Sequence, residues 1–79
     1  MEISYDKNVD AMYIRLRKGD FAKNKVIDDL TIFDLDSKGN LLGIELLDAS
    51  KRFSKKSLQE VHVKDMVLVK WKNIMQKVG

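Results

Sequence analysis

Leu30-Thr-Ile-Phe-Asp-Leu-Asp-Ser-Lys-Gly-Asn-Leu-Leu-Gly-Ile-Glu-Leu-Leu-Asp48 is two apolar runs separated by a cluster of turn formers. A three-residue loop, Ser37-Lys38-Gly39, with glycine in the left-handed position suits a type I turn closed by a G1 bulge, so the stretch reads as a β-hairpin. Placing Asp36 opposite Asn40 sets an expected register. Leu35 then faces Leu41, Asp34 faces Leu42, Phe33 faces Gly43 and Ile32 faces Ile44. In that register an aromatic ring covers the bare backbone of a strand glycine. Both faces become apolar, with Leu30, Ile32, Leu42, Ile44 and Leu46 on one and Phe33, Leu35, Leu41 and Leu47 on the other. A sheet wetted on one side alternates apolar and polar residues. Each face of this hairpin therefore needs a cover.

Upstream, Ile3 and Tyr5 alternate with polar residues, and Asp6 to Asp10 supplies turn formers before the next strand. From Ala11 to Arg17 the period is two: Met12, Ile14 and Leu16 point one way, Tyr13, Arg15 and Arg17 the other. Lys18-Gly19-Asp20 marks a turn, Lys25-Val26-Ile27 a short third strand, and Asp28-Asp29 its end. Downstream, Ser54 or Ser57 can cap a short helix near 54–61, and Ser57 with Glu60 fits a capping box. Val61, Val63, Val67, Val69 and Trp71 keep a period of two, which favours a strand. The rival is one long helix striped by Leu58, Val61, Leu68, Trp71, Met75 and Val78. The expected fold is α+β: a mostly antiparallel β-sheet, a meander with the central hairpin 30–48, plus one short helix.

At 79 residues the chain is read as a single domain. A domain of this size buries only about 60% of the surface its unfolded chain exposes. With one short helix for one sheet face, a second copy of the chain is the expected cover for the other, so a homodimer is expected. No cysteine is present, which excludes disulfides, thiolate metal sites and a cysteine nucleophile. No apolar run approaches the roughly 18 residues of a spanning helix, and the first residues lack the pattern of a signal peptide. No membrane association and a cytoplasmic location are the corresponding expectations. The net charge of +3 is divided unevenly. Residues 1–50 carry seven Lys/Arg against ten Asp/Glu, a balance of −3; residues 51–79 carry eight against two, a balance of +6.

The chemistry in the sequence is sparse. Asp34, Asp36, Gly39 and Glu45 fall at positions one, three, six and twelve of a calcium-binding EF-hand loop. Lys38 puts an ammonium where a ligand oxygen belongs, and the hairpin register sends Glu45 to the opposite face from Asp34. His62, the single histidine, has no recognisable partner set for general base work beyond Asp65. Asp28 and Asp29 read as turn residues, and no phosphate loop or nucleophile elbow occurs. Hence no catalytic residue, metal site or cofactor is expected, and the protein is read as a non-enzyme. The basic tail offers Lys64, Lys70, Trp71 and Lys72 as a possible partner or nucleic-acid contact, with Trp71 able to stack on a base. A core or interface tryptophan rimmed by lysines is the competing account, and no nucleic-acid-binding signature accompanies them.

Tyr5-Asp6 followed by Asp10-Ala11-Met12-Tyr13-Ile14-Arg15-Leu16 resembles the opening of the small prokaryotic proteins grouped as domain of unknown function 2283. Phe33 to Asp36, Gly39-Asn40 and Leu42 to Ser50 are similar to that family's second block. The resemblance covers about residues 2–53 and leaves the basic tail, 54–79, as what is particular to this chain. It implies no assigned activity and no catalytic residues. Members thought to lie beside small toxin-like genes imply an antitoxin-like, partner-binding role. The shared residues also make structural sense alone. Asp6 and Asp10 are expected to bound a turn, Tyr13 to pack across strands, Gly39 to shape the hairpin loop, Gly43 to admit Phe33, and Glu45 to lie beside Thr31.

Overall fold

The computed structural model describes residues 1–64. The strand-or-helix alternative for 62–79, together with Lys70, Trp71 and Lys72, lies almost wholly outside them. Five strands, β1 (Glu2–Asp6), β2 (Ala11–Arg15), β3 (Lys23–Asp28), β4 (Thr31–Leu35) and β5 (Leu41–Leu46), precede two short helices, α1 (Ala49–Arg52) and α2 (Lys55–Gln59). The strands form one sheet in the order β1-β2-β5-β4-β3, every pair antiparallel. The meander expected from the sequence is present in β3-β4-β5. The β1–β2 hairpin adds beside β5, so the 16–22 connection must carry the chain past two strands to the far edge, a Greek-key path.

The hairpin loop forms as its residues dictate. Gly39 adopts φ +83°, a left-handed conformation that glycine takes at no steric cost. The Asp36 amide donates to the Asn40 carbonyl at 3.0 Å, and the Gly39 amide donates to the Asp36 carbonyl at 3.0 Å. The Asp36 carboxylate accepts from the Lys38 and Asn40 amides at 2.9 and 2.8 Å and from Asn40 Nδ2 at 2.9 Å. These bonds, that from the Asn40 side chain foremost, hold its carboxyl below the usual range.

Beyond the loop the register departs from expectation. Leu35 does pair with Leu41, but the register then slips at a bulge between Asp34 and Leu35. Asp34 pairs with Gly43, Phe33 with Ile44, Ile32 with Glu45 and Thr31 with Leu46. The expected Asp34–Leu42, Phe33–Gly43 and Ile32–Ile44 pairs do not form, and Glu45 is beside Ile32 rather than Thr31. Because strand side chains alternate, a one-residue slip moves every following side chain to the other face. The two-faced apolar hairpin is therefore corrected to a sheet with one apolar and one polar face. Met12, Ile14, Ile44, Leu46, Phe33 and Leu35 share the apolar face with Ile3 and Tyr5. Lys23, Lys25 and Thr31 lie at its β3–β4 end. Glu2, Ser4, Tyr13, Arg15, Gly43, Glu45 and Asp34 share the other face, where Ile32 and Val26 are the apolar residues.

Leu42, the residue displaced by the bulge, is 5% exposed and packs beneath the 16–22 connection beside Gly19. Its carbonyl accepts the Leu16 and Arg17 amides at 2.8 and 3.3 Å, which ties that connection to β5. Leu42 and Ala49 are the fully buried hydrophobic residues among those described.

The short helix expected near 54–61 is present as α2, and a second, unexpected helix, α1, precedes it from Ala49 at the end of the apolar run. Asp48 enters α1 at φ 50°, a left-handed conformation that aspartate tolerates better than most residues. Ser54, rather than Ser57, caps α2: its Oγ accepts the Ser57 amide at 3.1 Å. No Ser57–Glu60 capping box forms, because α2 ends at Gln59 and Glu60 is already extended.

Candidate functional site

Two side-chain constellations stand out. The first fastens the β1–β2 turn to the start of α1. Asp10 holds φ 52°, and its carbonyl accepts the Ala49 amide at 2.9 Å. Its carboxylate accepts the Ser50 amide at 2.9 Å, the Ser50 hydroxyl at 2.7 Å and the Tyr5 hydroxyl at 2.8 Å. The Ser50 hydroxyl bond is the largest cause holding the Asp10 carboxyl below its ordinary value, followed by that from Tyr5. The same carboxylate pushes the Tyr5 phenol up. Asp6 closes the turn by accepting the Asn8 amide at 2.9 Å.

The second lies on the polar face. Tyr13 pairs with Glu45, and Arg15 with Gly43, across β2 and β5. Tyr13 leans over Gly43, where a Cβ would collide with its hydroxyl. Gly43 thus admits Tyr13, not Phe33. The bulge brings Asp34 next to Gly43 and onto the same face as Glu45, a meeting the expected register had excluded. Partial burial, and then the adjacent Asp34, push the Glu45 carboxyl up. Partial burial, and then Asp34, also push the Tyr13 phenol up. Asp34 Oδ1 is buried and accepts no hydrogen bond from the described residues. Repulsion between adjacent negative charges is the electrostatic part of that upward push on Glu45.

Three elements converge on this face. Strands β2 and β4 supply its floor with Tyr13, Arg15 and Asp34, while the 16–22 connection supplies a wall with Arg17, Lys18 and Phe21. Arg15 reaches its cross-strand neighbour Glu2 at 3.9 Å. Of the calcium-loop residues, Asp36 is committed to its own turn while Asp34 and Glu45 share a face against expectation, and no cluster of three or more metal-ligating side chains occurs among the described residues.

The family model for a protein of unknown function, DUF2283, matches residues 2–50. The chain belongs to the DUF2283 family. No curated protein and no solved structure matches it. The matched DUF2283 segment closes at Ser50, the residue that grips Asp10, so both halves of that clasp lie within it. Tyr5, Asp6, Asp10, Tyr13, Gly39 and Gly43, read from the sequence as structural, each fill a definite place in the sheet or its turns. Lys64 is exposed, and His62 is exposed with Nε2 3.4 Å from a Glu60 carboxylate oxygen. Arg17, Lys18, Phe21 and Asp34 went unnoticed as a set. Period-two patterning puts Arg17 on the face of Tyr13 and Arg15, but nothing local shows the 16–22 connection folding over it. Among the described residues, no helix is long and apolar enough to cross a membrane.

Proposed function

We propose that this DUF2283 domain is a non-enzymatic interaction module that forms a homodimer through the apolar face of its sheet. The observation that carries the reading is the openness of that face among the described residues. None of Met12, Ile14, Phe33, Leu35, Ile44 and Leu46 is fully buried, and Ile3 and Tyr5 are 40% and 39% exposed. A contiguous apolar face of this kind marks an interaction surface. The rim of the sheet favours stacking on the face over edge-to-edge addition. Edge strand β3 carries Lys23 and Lys25, charges that oppose strand addition. A second copy is the simplest occupant, because a two-fold contact sets the same patch against itself. An antitoxin-like role is the heteromeric version of the same contact, with a partner chain replacing the second copy.

Sedimentation equilibrium over micromolar concentrations tests the reading. A mass twice 9.1 kDa is expected. A monomer mass across that range overturns it.

A further inference from the structure

The polar face carries a cavity of about 320 Å³ between the sheet and the 16–22 connection. That lies at the small end of ligand sites, which run from about 300 to 1,000 Å³, and suits a single mononucleotide-sized molecule. Three properties of its lining restrict the chemistry of such a molecule.

Arg15, Arg17 and Lys18 all line it, and the same three line an adjoining concavity of about 210 Å³ together with Met1 and Glu2. Among the described residues Arg15 is ion-paired with Glu2, whereas Arg17 and Lys18 make no ion pair. Phe21 contributes an aromatic ring while remaining 59% exposed. Asp34 contributes a carboxylate, one oxygen of which is buried and accepts no hydrogen bond from the described residues. The occupant must therefore combine an anion, a flat ring and N–H donors. An inorganic anion leaves Phe21 and Asp34 unused. An acidic peptide presents at most one N–H per ring edge, through Trp or His, and not two side by side.

We propose that this cavity binds a nucleoside monophosphate, its phosphate on Arg17 and Lys18, its base stacked on Phe21 with an N–H edge toward Asp34. Stacking on an aromatic ring beside cationic side chains is how proteins hold unpaired bases. The carboxylate selects guanine. Guanine presents N1–H and N2–H side by side, whereas adenine and cytosine place a ring acceptor beside their amino donor, which a carboxylate repels. The dimer reading is independent, since it uses the opposite face of the sheet.

Isothermal titration of the full chain with GMP, AMP, ribose 5-phosphate and inorganic phosphate tests the proposal. GMP is expected to bind saturably, about ten-fold tighter than AMP, the scale of one good bidentate base contact, and tighter still than the two ring-free probes. Phe21→Ala and the double variant Arg17→Ala/Lys18→Ala are expected to weaken GMP several-fold, and Asp34→Asn to abolish the preference over AMP. Circular dichroism verifies that each variant folds; if Asp34→Asn does not, the Arg17/Lys18 variant decides. Absence of saturable GMP binding at millimolar concentration overturns the proposal. So does ribose 5-phosphate binding as tightly as GMP, or GMP affinity unchanged by loss of Arg17 and Lys18.

Discussion

Asp10 and Ser50, forty residues apart in the chain, are joined by two hydrogen bonds, from the Ser50 amide at 2.9 Å and its hydroxyl at 2.7 Å. This clasp anchors the first turn of the sheet to the first helix, and with it the position of α1 and α2 beside Tyr5. Asp10 therefore acts as a long-range tie as well as a turn residue.

Asp10→Asn tests the clasp while preserving tolerance for the left-handed backbone. The Asp10 carboxyl is held below its ordinary 3.8, so its contribution is present above that value and lost as pH falls through the lowered one. The variant is expected to melt several degrees below wild type at neutral pH, with the deficit closing in acid. Ser50→Ala should move the same way by less. Thermal melts at pH 7 and near pH 3 check both, and an equal deficit at the two pH values would count against the carboxylate's role.

Gly43→Ala is expected to destabilise the fold by about 1–3 kcal/mol, the usual cost of overpacking. The added Cβ meets the Tyr13 hydroxyl and lies 3.0 Å from the Ile14 carbonyl. Tyr13→Ala in the same chain removes both the hydroxyl and the ring carbon bearing it, which the added Cβ also meets, so Gly43→Ala should cost less in that background. Urea denaturation of the four combinations measures the coupling. Additive effects of the two substitutions would sink the assignment of Tyr13 to Gly43.

Glu45→Gln probes the carboxyl pair. The Glu45 carboxyl is raised above its ordinary 4.5, by burial first and Asp34 second. Its stabilising contribution is thus complete below that value and lost as pH rises through the raised one. Glutamine keeps the shape and cannot ionise. The variant's stability relative to wild type should therefore increase between pH 4 and pH 7 in urea denaturation, and a constant difference would contradict the pairing.

Ile14→Lys places a charge at the centre of the apolar face, where Ile14 pairs directly with Ile44. A monomer that retains its sheet signal in circular dichroism is expected. Val26→Lys, on the opposite face at a residue already 68% exposed, should leave the dimer intact. Dissociation by both variants alike would show that the face is not the contact.

Much of this architecture was written locally. The alternation of Met12, Ile14 and Leu16 with Tyr13 and Arg15 assigned β2 and its two faces, since a period of two needs no partner to be read. Ser37-Lys38-Gly39 determined the hairpin loop, because only a few residue types accept its left-handed position, and Asp28 ended β3 by accepting the Leu30 amide at 2.8 Å. What escaped was non-local. An extra residue at Leu42 leaves the apolar run looking uninterrupted, yet it exchanges the faces of Ile44 and Glu45 relative to Phe33 and Asp34. α1 was hidden for a similar reason: Ala49 and Ser50 continue the run in composition, and the bonds to Asp10 that hold them come from forty residues away. The sequence by itself determined the strands, the hairpin loop and the family. The tertiary structure decided which face is apolar, which carboxyls meet and which loop covers Leu42, because register and long-range hydrogen bonds depend on pairs of segments and leave no periodic trace in either one.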